Sequence, residues 1–117
     1  MNPEPPDHLL PELGSLHEYF AGRLPARLQE IEETWRRVQE SAWSAEEVKT
    51  FHRLAHSLAG AGATFGFAAV TDASRTLERR LKAVLQAGAP PGAPPMDSAE
   101  VEALLTAVRR AASPGAS

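Results

Sequence analysis

From Leu24 onward the apolar side chains fall at Leu24, Leu28, Ile31, Trp35 and Val38. This four, three, four, three spacing lays one stripe along a helix and faces it toward a core. Pro25 fits two arrangements. It can sit in the first turn, where its missing N–H is harmless, with Tyr19 and Phe20 on a short preceding helix, or it can kink one continuous helix. The sequence leaves both open. Residues 1–13 carry four prolines and no periodicity, and are read as a flexible lead-in to the domain.

Ser44 and Glu47 have the spacing of a capping box, which predicts a second helix beginning at Ala45. Its core stripe is Val48, Phe51, Ala55, Leu58 and Phe65, with Leu54 at the edge. A third helix is predicted over about 67–86, with Val70, Ala73, Leu77, Leu81 and Val84 on one side and Gly88 with Pro90 ending it. The following AGAPPGAPP is too proline-rich for helix and reads as a linker. Asp97 and Glu100 repeat the capping-box spacing ahead of Val101, Leu104, Leu105 and Val108, the fourth helix, which frays into residues 113–117. No alternating apolar run suggests a strand. The expected fold is all-α, an antiparallel four-helix bundle over residues 14–112 with a short extra N-terminal helix or a kinked first helix.

Composition narrows the function classes. With 117 residues the chain is one domain, able to bury about 65% of the surface its unfolded form exposes. There is no cysteine, which excludes disulfides and thiolate metal sites. Twelve basic against fifteen acidic residues give a net charge of −3 with no dense basic run, so nucleic acid is not an expected partner. No stretch approaches the roughly 20 apolar residues of a bilayer span, and the acidic, proline-rich start does not resemble a signal peptide. A cytoplasmic location and no membrane partner are expected. The four stripes are used up by one bundle, so a monomer is expected.

Gly60, Gly62 and Gly66 lie within or at the end of the second helix, where each interior glycine costs about 0.5–1 kcal/mol relative to alanine. At 100° per residue His56 falls about 140° from Phe51, on the flank or outer face. Its neighbours at i+3, i+4 and i+7 are Ala59, Gly60 and Ala63, all small, so the imidazole stands over a bare patch that a second protein can approach. The plainer reading is that Gly60 and Gly62 permit close helix packing.

The stretch AHSLAGAGATFGF, residues 55–67, resembles the phosphorylation-site helix of histidine-containing phosphotransfer domains. The family pattern of a histidine, an aliphatic residue, a lysine, a glycine and a later glycine falls here on His56, Leu58, Ala59, Gly60 and Gly66. Gly62 and the run Thr64, Phe65, Gly66, Phe67 look most like the phosphotransfer domains of chemotaxis-type kinases. The resemblance covers roughly residues 15–112 and implies a four-helix bundle. It also implies that His56 accepts a phosphoryl group on Nε2 and exchanges it with an aspartate of a response-regulator receiver domain, within a two-component phosphorelay. A histidine kinase or hybrid kinase is the other implied partner. An imidazole suits this traffic because its neutral ring nitrogen is nucleophilic near physiological pH and departs again when its phosphoryl group is attacked.

An acceptor on the third helix would fix the useful tautomer by taking a hydrogen bond from Nδ1–H. Glu78 is the candidate, because the corresponding family position commonly carries Glu or Gln; the alternative is an exposed carboxylate paired with Lys82. The chain departs from the family at Ala59, where a lysine usually neutralises the phosphoryl oxygens. Lys82 is the first candidate replacement and Arg53 the second, with Lys49 two turns upstream of His56. Solvated surface charge with no duty is the alternative for each. Ala59, Gly60, Ala63 and Thr64 are the expected receiver docking face, an apolar centre within a polar rim.

Three other readings are weighed against the relay. His52 and His56, at i and i+4, are spaced as metal ligands, but Arg53 stands where a zinc peptidase needs glutamate, and His8 and His17 have no fixed relation to the pair. No metal is expected. GAGATFG follows a helix rather than a strand and there is no Walker lysine, so autonomous kinase or ATPase activity is not expected. The relay would need no cofactor of its own and would borrow Mg²⁺ and acid catalysis from its partner. The third reading is a non-phosphorylated helical adaptor that binds a receiver or kinase.

Overall fold

The computed structural model describes residues 4–88 and 94–112, with side chains from Leu16 onward. Four helices follow in order, α1 (Glu4–Glu40), α2 (Ala45–Phe65), α3 (Ala68–Ala87) and α4 (Ser98–Ala112), and the described residues contain no strand. Neighbours pack as α1 on α2, α2 on α3, α3 on α4 and α4 back on α1, with α2 and α3 the most intimate pair. None of the described helices is long and apolar enough to cross a membrane.

Of the two arrangements open for Pro25, the first helix takes the continuous one. It runs as one element from Glu4 through Pro25, with no separate short helix before it, and the difference from the sequence expectation lies in residues 4–13, which are helical in backbone rather than a loose lead-in. Pro5 and Pro6 fall in the first turn, where the backbone N–H groups have no intrahelical acceptor to lose. Pro25 sits inside the helix between Leu24, which is buried, and Leu28, which packs against the same apolar cluster. That packing holds the turn together where a hydrogen bond is missing. The predicted tail, residues 113–117, and part of the proline-rich linker, residues 89–93, lie outside the described residues.

The α1–α2 connection is closed by backbone bonds from Ser41, Ala42 and Trp43 to Arg37, Gln39 and Val38. Ala42 and Trp43 both take positive φ, 54° and 61°, a conformation that costs an L-residue about 1–2 kcal/mol. Trp43 recovers this by burial. Its indole lies edge-on to Trp35, and Trp35 in turn stacks on Phe51 with ring centroids 5.9 Å apart. Ser44 caps α2 as predicted, its side chain accepting from the Glu47 N–H, but Glu47 does not reach back: its carboxylate pairs with Arg37 on α1.

The interior divides into two apolar clusters. The larger joins Ile31, Trp35 and Val38 to Val48, Phe51, Leu77, Leu81, Val101 and Leu105. The smaller joins Phe20 and Leu24 to Leu58, Val70 and Val108, with Phe65 and Phe67 packed against it. Exposed ion pairs tie the elements at their edges: Arg37 with Glu47, Arg80 with Glu100, and Arg109 with Glu32. Arg80 holds the Glu100 carboxyl below its ordinary value through a side-chain hydrogen bond and, after it, charge attraction.

Candidate functional site

His56 projects from the middle of α2 with 70% of its side chain exposed. Its Nδ1 lies 2.5 Å from Oε2 of Glu78 on α3. A carboxylate only accepts, so in the neutral imidazole this contact selects the tautomer with the proton on Nδ1 and the lone pair on Nε2. Among the described residues no hydrogen bond engages Nε2. The ring is therefore anchored on one side by a half-buried carboxylate and nucleophilic on the other. Glu78 does not pair with Lys82, which was the alternative for it.

The glycines of α2 turn out to differ. At Gly62 an added Cβ would meet Thr71 Oγ1 at 2.5 Å, the Phe67 carbonyl oxygen at 3.1 Å and the Thr71 nitrogen at 3.2 Å. Gly62 is there for close packing of α3. At Gly60 a Cβ would meet nothing within 4 Å. Packing does not require glycine at that position, which leaves the approach to His56 clear. Gly66 ends α2 with φ 87°, the left-handed conformation glycine adopts without penalty, and the Phe67 N–H closes the turn on the Gly62 carbonyl.

Of the expected docking face, Gly60, Ala63 and Thr64 are exposed and lie together. Ala59 does not belong with them: it is buried, at 2% exposure. An i+3 neighbour is rotated about 60° from His56, here toward α3. The close approach allowed by Gly62 brings α3 over it, and the Thr71 hydroxyl donates to the Ala59 carbonyl at 3.0 Å.

Neither candidate cation touches the pair. Lys82 is exposed and forms no ion pair among the described residues, and Arg53 donates to Thr50 Oγ1 at 3.4 Å rather than toward His56. Arg75, not among the cations expected from the sequence, is also exposed. It lies three residues before Glu78 as Lys82 lies four after it, so the two flank the carboxylate on α3. The i−3 spacing from Glu78 was the available signal.

The sequence marks His52 only by its i, i+4 spacing from His56, as one of two imidazoles spaced like metal ligands. It stacks near His56, with ring centroids 6.4 Å apart and planes 17° from parallel. Its Nε2 lies 4.0 Å from the Glu78 oxygen that His56 engages. Among the described residues no group of three or more His, Asp or Glu side chains is arranged to hold a metal ion.

Comparison with curated proteins and with solved structures gave no significant match. Comparison with family models gave one, the Hpt domain, over residues 15–111. That span takes in all of α2 and α3, the His56–Glu78 pair and both apolar clusters, and the chain belongs to the Hpt domain family.

Proposed function

We propose that the protein is a histidine phosphotransfer intermediate of a two-component phosphorelay, exchanging a phosphoryl group between His56 and an aspartate of a response-regulator receiver domain. The observation that carries the reading is the 2.5 Å contact of His56 Nδ1 with Glu78 on a ring that is otherwise exposed. In the forward step the Nε2 lone pair attacks phosphorus of the aspartyl phosphate, the N–P bond forms, and the O–P bond breaks with its electrons returning to the aspartate carboxylate. Glu78 keeps the Nδ1 proton in place and stabilises the positive charge that the ring acquires. The reverse step returns the group by the same path.

The protein acts as a relay rather than an enzyme, without ATP hydrolysis of its own and without a resident cofactor. Its partners are a receiver domain and a histidine or hybrid kinase in the cytoplasm, met by a monomer through transient contacts. The Thr64–Phe67 run supports the chemotaxis-type branch of the family. An antiparallel order of helices is supported by the clusters, which join late α1 to early α2, late α3 and early α4, and middle α1 to late α2, early α3 and late α4. Gly60, Ala63 and Thr64 form the docking face. Lys82, with Arg53 second, supplies the positive charge that Ala59 does not.

One observation favours the adaptor reading: the lysine position holds a buried alanine. Incubation with a phosphorylated receiver separates the two. The relay requires acid-labile label on the wild type and none on His56→Gln. Binding to the receiver without label on the wild type would replace the relay with the adaptor.

A further inference from the structure

Glu78 is approached by two imidazoles, and the relay uses one of them. His52 lies one turn before His56 on α2, and its side chain is 25% exposed with Nε2 itself inaccessible. That nitrogen has no hydrogen-bond partner among the described residues. It lies 4.0 Å from Glu78 Oε2, the same oxygen that receives the His56 Nδ1–H.

A buried polar atom without a partner is unfavourable, and a carboxylate oxygen of Glu78 stands 4.0 Å from this one. The electrostatics select the protonation of Nε2. A lone pair turned toward a carboxylate oxygen is repelled, whereas an N–H, neutral or on the imidazolium, is attracted. The separation exceeds a hydrogen bond by about 1 Å, a gap that a small rotation of a half-buried side chain closes. From the His52–Glu78 juxtaposition we infer that His52 is a positioning residue, whose Nε2–H holds the Glu78 carboxylate at the orientation in which it accepts from His56. This assignment rests on the relay reading for its effect on transfer, but its effect on the His56 ring does not depend on phosphate.

Two substitutions separate the donor from the ring. His52→Phe keeps a flat ring beside His56 and removes the N–H. His52→Gln removes the ring and places an amide N–H where Nε2 stood. In the unphosphorylated protein, ring ¹⁵N shifts of His56 are expected to report the Nδ1–H tautomer in wild type and His52→Gln, and a mixture of tautomers in His52→Phe. Transfer from a phosphorylated receiver is expected to slow about tenfold in His52→Phe, the low end for removal of a group that orients a histidine, with most of the rate restored in His52→Gln. Unchanged His56 shifts in folded His52→Phe would overturn the inference. So would equal losses in both variants, which would assign the effect to ring packing. If wild-type His56 never takes label, the relay fails while the ¹⁵N comparison still decides the role of His52.

Discussion

Gly60 and Gly62 stand two residues apart on α2 and answer to different constraints. Gly62 faces α3, and the hydroxyl, carbonyl and amide of its neighbours fill the space a side chain would need. Gly60 faces open space. Both carry the same backbone penalty, but only at Gly62 does packing recover it inside the fold. At Gly60 the stability forgone has no structural return, which is the pattern expected where a surface is kept bare for a partner.

The sharpest way to break this comparison is Gly62→Ala. The new Cβ meets backbone atoms as well as the Thr71 hydroxyl, so α3 must shift, and a loss of about 1–3 kcal/mol is expected in urea unfolding. Wild-type stability for this variant would remove the packing role. Next in size is the coupling with Thr71. Thr71→Ala alone loses the bond to the Ala59 carbonyl, worth about 1 kcal/mol. The double variant Gly62→Ala/Thr71→Ala is expected to be more stable than the sum of the singles by about 0.5–1 kcal/mol, since the closest clash is gone while the backbone contacts remain.

Gly60→Ala is expected to move the other way, gaining about 0.5–1 kcal/mol from helix propensity with nothing to displace. Gly60→Trp should fold as well as wild type yet slow transfer from a receiver, because the indole occupies the approach to His56; an unchanged rate would show that partners do not use that face. The smallest effect lies on the α3–α4 edge and leaves both glycines alone. The Glu100 carboxyl is held low by Arg80, so their contribution is present above the unfolded carboxylate value of about 4.3 and is lost as pH falls through the lower folded value. Arg80→Ala is expected to flatten the acid limb of stability against pH modestly, as both side chains are solvent-exposed.

Most of the architecture was legible because it depends on residues close in sequence. The stripes of α2, α3 and α4, the Ser44 cap and the stop at Gly88 follow from spacing alone, and each is found where expected. The partnership of His56 with Glu78 was legible through the family resemblance, since contact between helices leaves no local periodicity. What escaped depends on a second element. Ala59 is exposed on an isolated helical wheel and buried once α3 closes over it. Glu47 has the spacing of a return cap, but Arg37 on α1 competes successfully for its carboxylate. Pro25 fits a boundary or a continuous helix until Leu24 and Leu28 are seen packing on either side of it. His52 suggested a metal pair because its distance from Glu78 across the α2–α3 seam is not written in its own helix.

The left-handed turn at Ala42 and Trp43 has a practical consequence. It drives the second of the chain's two indoles into the interior against the first, so both tryptophans report on the same packed cluster. Their fluorescence serves as an internal gauge of whether the scaffold is intact, one that chemistry on the outward face of His56 should leave largely untouched. A variant that stops carrying phosphate while its emission stays native has lost its reactivity and kept its frame.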